Sequence, residues 1–185
     1  MQNNKKLILF ALFLVGVACG CYVWRSKQSD NSLNIVGFNC DQDADAVDAL
    51  IHKGDNMYWM IAGNPDYSVK FMLEYQTTSQ QEKRHDLILK SAFFDDQLVG
   101  FLAYYPKSQH VWRLLFLIVD QNVRKQGFAK KLLNFAVQDM VKRGAFQISL
   151  FTRNNNLKAQ ALYKNYGFKL TSVDDIGVWL SWNKM

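Results

Sequence analysis

Residues 111–133 read VWRLLFLIVDQNVRKQGFAKKLL, and the change of character within that stretch decides the architecture. Val111–Val119 is almost continuously apolar, the pattern of a strand buried on both faces at the centre of a sheet. From Gly127 onward Phe128, Leu132, Phe135, Ala136 and Met140 recur at helical spacing, which predicts a helix over Gly127–Arg143 closed by Gly144. The helix therefore starts just beyond the end of a central strand, where its first N–H groups are unpaired and its dipole is positive. Arg124, Lys125, Gln126, Gly127, Phe128 and Ala129 form a turn suited to a phosphate. Gly127 lets the backbone approach a ligand, Ala129 keeps the first turn narrow, and Arg124, Lys125, Lys130 and Lys131 add positive charge. Taken alone, the same residues equally suit a solvated basic helix start. Neither the P-loop pattern G-x-x-x-x-G-K-[ST] nor the dinucleotide pattern G-x-G-x-x-G is present.

Working outward, Leu33–Asn39 suits a short strand, Asp43–Lys53 a helix with acidic residues at its start and Gly54 at its end, and Asp66–Tyr75 a second helix after Asn64-Pro65. Leu87–Phe94 and Leu98–Tyr105, separated by Asp95-Asp96-Gln97, read as an antiparallel hairpin. Beyond the basic helix, Phe146–Thr152 alternates as a strand, Asn156–Tyr166 is a helix ended by Gly167, and Phe168–Val173 with Gly177–Trp182 forms a closing hairpin. The expected order is β-αα-βββ-α-β-α-ββ. This is a mixed α/β fold, with a central sheet of about seven strands flanked by about four helices.

The stretch after that strand, Asn156-Leu157-Lys158-Ala159-Gln160-Ala161-Leu162-Tyr163-Lys164-Asn165-Tyr166-Gly167-Phe168, joins the first in one pattern. Together they closely resemble the GCN5-related N-acetyltransferase (GNAT) family, in which Q/R-x-x-G-x-G/A is followed, one helix and one strand later, by N-x-x-A-x-x-L-Y-x-x-x-G-F. The motifs cover residues 117–168, and the element order extends the likeness to 33–185. The resemblance implies an acyl-CoA N-acyltransferase fold and transfer of an acetyl group from acetyl-CoA, a co-substrate, to a primary amine on a small molecule or protein. It implies that Leu117, Ile118 and Val119 hydrogen-bond the pantetheine arm, and that the N–H groups of Lys125 to Lys130 hold the pyrophosphate. Asn156 then lies near the cofactor arm, and Tyr163 protonates the departing thiolate. Without the motif, Tyr163 reads as a core aromatic. Gln121 stands where proline is common and Lys125 where glycine is common. Phe151 occupies the position of a glutamate base found in some protein-acetylating members, which leaves Asp120, His110 or a water as base. A catalytically silent acyl-CoA-binding sensor is the alternative function.

Composition bounds these readings. Of 185 residues 49% are hydrophobic and the net charge is +6, which excludes a disordered chain. The charge is uneven: residues 33–106 carry 5 basic and 11 acidic side chains, and residues 107–185 carry 13 and 4. No aromatic-interleaved basic tract accompanies the excess, so no nucleic-acid partner is expected. The acidic part, Asp41, Asp43 and Asp45 included, suggests a cationic acceptor, and Trp59, Tyr67, Trp179 and Trp182 are candidate acceptor-site aromatics. Cys19, Cys21 and Cys40 with three scattered histidines supply neither a disulfide framework nor a metal site.

Leu7–Trp24 is an uncharged, mostly apolar run of 18 residues flanked by Lys5-Lys6 and by Arg25 and Lys27, long enough to span a bilayer as a helix. The expected organisation is an N-terminal hydrophobic helix with a short linker over 1–32 and the acetyltransferase domain over 33–185. A single-pass anchor with the domain facing the cytoplasm is the leading reading. Export by a signal sequence or lipidation at Cys19 or Cys21 is the alternative. Nothing in the sequence specifies an oligomeric state.

Overall fold

In the computed structural model, which describes residues 32–62, 64–74 and 86–184, the chain opens with β1 (Asn34–Gly37), α1 (Cys40–His52), α2 (Asp55–Ile61) and α3 (Val69–Glu74). It continues through β2 (Ile88–Phe94), β3 (Gln97–Pro106), β4 (Val111–Val119) and a 3-10 turn (Gln121–Val123) to α4 (Phe128–Lys142). It ends with β5 (Gln147–Arg153), α5 (Leu157–Tyr166), β6 (Lys169–Val173) and β7 (Gly177–Asn183). The seven strands form one sheet in the order β1-β2-β3-β4-β5-β7-β6. β4 is its middle strand, as its apolar run predicts. It is antiparallel to β3 and parallel to β5, while every other pairing is antiparallel.

Local chemistry accounts for the boundaries. The β2–β3 hairpin turns on Asp95 (φ 49°) and Asp96 (φ 58°), two successive left-handed residues whose twist matches that of the flanking strands. α1 starts ahead of the predicted Asp43 because the Asn39 side chain accepts from Asp41 N–H at 3.0 Å while Asp43 Oδ2 accepts from Asn39 N–H at 3.0 Å. That reciprocal cap satisfies N–H groups that would otherwise lack partners. The helix expected over Asp66–Tyr75 is the shorter α3. α2 is an addition to the expected order. Gly54, read as a helix stop, adopts φ +56° and leads the chain into α2; Lys53 ends α1.

Two apolar layers cover the sheet. On one face Leu132, Leu133, Ala136 and Met140 of α4 and Tyr163 of α5 pack with Leu102, Leu114, Ile148, Leu150 and Leu180. On the other, Val47, Leu50 and Ile51 of α1 and Val69 and Met72 of α3 cover Phe101, Ala103, Phe116 and Ile118. Leu132 and Leu133 are fully buried, and cutting either back to alanine would cost about 2–5 kcal/mol. Among the described residues no helix is long and apolar enough to cross a membrane; Leu7–Trp24 lies outside them.

Candidate active site

The site begins where the sheet comes apart. β4 pairs with β5 from Val111–Gln147 to Leu114–Leu150 and no further, although β4 runs on to Val119 and β5 to Arg153. On its other side β4 stays paired with β3 up to Val119, with a register shift that leaves Leu115 as an extra residue opposite Ala103 and Tyr104. Such a bulge bends its strand and increases the local twist, which carries the upper half of β4 away from β5. A wedge opens between the two strands.

Ladder alternation determines which backbone groups face that wedge. Asp120 N–H donates to Val99 O at 2.8 Å, so in this antiparallel register the bonded pairs with β3 are Asp120–Val99, Ile118–Phe101 and Phe116–Ala103. Leu117 and Val119 direct their N–H and C=O groups the opposite way, into the wedge. Of the three residues expected to line it, Ile118 is spent on β3.

At the open end of β4 the chain makes a 3-10 turn, with Asp120 Oδ1 accepting from Asn122 N–H at 2.9 Å, and then enters α4. Lys125 (φ 67°) and Gly127 (φ 82°) are both left-handed. No side chain caps α4, and its first turn holds no acidic residue. The first helical bond runs from Lys131 N–H to Gly127 O at 3.1 Å, so the N–H groups of Phe128, Ala129 and Lys130 have no intrahelical acceptor. A Cβ built at Gly127 would meet nothing within 4 Å, so the space in front of these donors is open. Phe128 turns its ring inward, 5.0 Å from Phe94; Lys125, Gln126 and Lys130 are exposed. Uncapped donors, a positive dipole and flanking lysines make a site for an anion.

Arg124 is engaged elsewhere. Its guanidinium donates to both Asp55 carboxylate oxygens at 2.8 Å, to Asn56 Oδ1 at 2.8 Å and to Val119 O at 3.2 Å. Beside it Lys53 Nζ reaches Asp120 at 2.8 and 3.1 Å. Asn56, 4% exposed, is itself held by donating to Leu50 O at 2.9 Å. The junction of α1 and α2 is thus tied to the loop that follows β4. From there α2 reaches the other side of the wedge, where the Tyr58 ring lies 4.9 Å from the Arg153 guanidinium and Asn155 Nδ2 donates to the Tyr58 hydroxyl at 3.4 Å. α2 bridges the two loops that bound the wedge. No spacing in the sequence points to these contacts, whose partners lie 67 to 97 residues apart.

On α5 the Asn156 side chain caps its own helix, accepting from Ala159 N–H at 3.2 Å. Gln160 and Tyr163 are the buried residues of that helix. Tyr163 belongs to the core, with its ring 5.9 Å from Phe168, and burial pushes its phenol up to about 12. At neutral pH this group is a proton donor, not a base.

The base candidates fare differently. His110 sits at the opposite end of β4, its Nδ1 3.3 Å from Gly144 O, roughly 30 Å from Val119 at the rise of a strand. It cannot reach the wedge. Burial pushes the Asp120 carboxyl up, but hydrogen bonds from Lys53 and Asn122 N–H, with the Lys53 and Arg124 charges, outweigh this and hold it below its ordinary value, so it is a poor proton acceptor. Phe151 packs tilted against Trp179, ring centroids 5.0 Å apart, and offers no base. Asp41, Asp43 and Asp45 lie towards the far end of α1, roughly 12–18 Å along the helix from Lys53, and Asp43 is bonded to Ser91 Oγ at 2.7 Å. They do not line the wedge. Tyr67 packs against Phe116 in the second core layer, Trp182 lies against the first, and the side chain of Trp59 is outside the described residues.

A sheet that splits beside a central strand, with an uncapped helix start at the split, offers backbone groups to an extended ligand and donors to an anionic end. Residues 53–168 match the Acetyltransferase (GNAT) family, and the chain belongs to that family. It is 26% identical over 84 residues to the uncharacterized N-acetyltransferase YvbK of Bacillus subtilis, covering 45% of this chain and 54% of that one. It is 32% identical over 90 residues to human N-acetyltransferase 8, covering 46% and 40%. The chain thus matches about half the length of these relatives. The fold is similar to that of the PaiA N-acetyltransferase from Thermoplasma acidophilum in complex with coenzyme A, with a TM-score of 0.63 and 19% identity over 83% of this chain and 99% of that one.

Proposed function

We propose that this chain is an acetyl-CoA-dependent N-acetyltransferase that moves the acetyl group to a primary amine by direct attack in a ternary complex. The observation that carries this reading is the early end of the β4–β5 pairing, which leaves Leu117 and Val119 backbone groups facing a wedge beside the uncapped start of α4. The residues present fit the co-substrate, which supplies the thioester carbonyl. Leu117 and the Val119 N–H bind the pantetheine amides and the carbonyl oxygen, where a fixed donor stabilises developing negative charge. The N–H groups of Lys125 to Lys130 hold the pyrophosphate, with the Lys125 and Lys130 side chains adding charge. Arg124 serves the site through its backbone and through its tie to α2, and Asn156 fixes the start of α5.

In the reaction an N–C bond forms as the C–S bond breaks. The amine gives up its proton to water, and Tyr163 gives the departing thiolate its own, to be reprotonated from solvent. No covalent intermediate on the protein is needed. The test is thiol release from acetyl-CoA by the full chain with a panel of primary amines. Tyr163→Phe should lower kcat about 100-fold while the Kd for CoA stays as it was. Since the folded phenol is raised above its ordinary value, kcat should hold through pH 9 and fall only above it. By the same sign, the stability Tyr163 contributes is present below about pH 10 and lost as pH rises towards 12. Tight CoA binding with no release by any amine would make the chain a silent acyl-CoA sensor instead.

We also infer that residues 7–24 anchor the chain as a single-pass helix, with the domain on the cytoplasmic side where acetyl-CoA is available. The length and flanks of that run support this reading. A reporter fused after Met185 tests it, and a reporter active only outside the cytoplasm would overturn it.

A further inference from the structure

The acceptor side of the wedge has a charge character that the acidic N-terminal half of the chain does not suggest. Phe151 and Arg153 alternate with the buried Leu150 and Thr152, so they share the β5 face opposite α4 and α5. On that face Trp179 packs tilted against Phe151 at 5.0 Å, and Arg113 lies 4.3 Å from the Trp179 ring. Arg153 stands at the mouth itself, 4.9 Å from the Tyr58 ring of α2. Stacking occupies the face of a guanidinium and leaves its edge, with the N–H donors in a fork, free for a carboxylate.

Three of the nearby carboxylates are held by other groups. Asp55 is bonded to Arg124 and Asp120 to Lys53, while Asp174 accepts from the N–H groups of Ile176 and Gly177 in its own turn. Arg153 forms an ion pair with none of the three, which leaves its N–H fork to a ligand. An unpaired guanidinium favours a ligand group of opposite charge, a carboxylate above all.

We propose, resting on the N-acetyltransferase reading above, that the acceptor is a small primary amine that also carries a carboxylate. Arg153, held against Tyr58, takes the carboxylate, and the amine points along Phe151 into the wedge. This replaces the cationic acceptor suggested by composition.

The experiment compares amino acids with their carboxamides and with the matching decarboxylated amines, using the full chain. It reads thiol release together with equilibrium binding of each amine to the CoA-loaded protein. The expected result is a KM at least tenfold lower for the acid than for its amide, a ratio that Arg153→Gln brings to within twofold and Arg153→Lys partly restores. CoA affinity measured on the same variants separates a lost contact from a collapsed site. Amides or polyamines that perform as well as the acids would overturn the proposal. If carboxylate-bearing amines bind, with loss of binding in R153Q, but release no thiol, the carboxylate site stands and the catalytic reading falls. If they neither bind nor react, both fall.

Discussion

α1 and α4 face the same problem at their first turns and solve it in opposite ways. Each begins with N–H groups that have no intrahelical acceptor. At α1 the Asn39 side chain accepts from Asp41 N–H, Asp43 accepts from Asn39 N–H and Asp41 adds a second negative charge, so donors and dipole are satisfied within the protein. At α4 the cap is Gly127, no side chain reaches back, and the charges at hand are Lys130 and Lys131. One terminus is closed and contributes to stability. The other is left open at the end of the strand that lines the wedge. The difference teaches that an uncapped helix start among lysines gives up stability the chain could have had, and that an anionic ligand recovers it when it binds.

The largest effect should come from closing the open terminus. Gly127→Asp places a carboxylate where the pyrophosphate is proposed to sit, combining a like charge with a strained left-handed residue. The Kd for CoA, followed by calorimetry, should rise about 100-fold, or about 3 kcal/mol at ~1.4 kcal/mol per tenfold. An affinity within threefold of the parent would mean that this terminus is not the anion site.

Opening the closed terminus gives the second test. Asp43→Ala removes acceptors from Asn39 N–H and from the buried Ser91 hydroxyl, and should cost about 2 kcal/mol of stability in denaturant unfolding. Neither the CoA Kd nor the acceptor KM should move, since these acids lie roughly 12–18 Å along the helix from the junction that touches the wedge. A changed acceptor KM would return them to the acceptor site.

How much of this was legible depended on how local each cause was. β4, α4 and α5 follow from apolar periodicity and from residues that start and stop helices; β4 has the expected span, and each helix end lies within one residue of the expected one. α1 could be read as a helix but not its true start, because the deciding bond runs backwards from Asp43 to Asn39. α2 was hidden: Gly54 reads as a stop, and DNMYWMI is too short to display a periodic stripe. The wedge was hidden too. It arises from the extra residue Leu115, and a bulge in an apolar run leaves no mark in composition. Arg124 misled for a related reason. Beside Lys125 it reads as one more phosphate-binding cation, yet its partners Asp55 and Asn56 lie 69 and 68 residues away.

The smallest expected effect sharpens the comparison most. Lys125, exposed and at φ 67°, holds a left-handed conformation that disfavours a side chain by about 1–2 kcal/mol, at the position where the resemblance leads one to expect glycine. Lys125→Gly relieves that strain but gives the unfolded chain about 0.4–1 kcal/mol of extra entropy, so the net gain in stability should be no more than about 1 kcal/mol. The same change removes a cation from the proposed pyrophosphate site, so CoA affinity should fall severalfold, with a weaker dependence on salt. Stability and affinity should thus move in opposite directions on one substitution. If K125G instead gains stability with no loss of CoA affinity at low salt, the lysine is only a strained surface residue, and the anion site rests on the backbone of α4 alone.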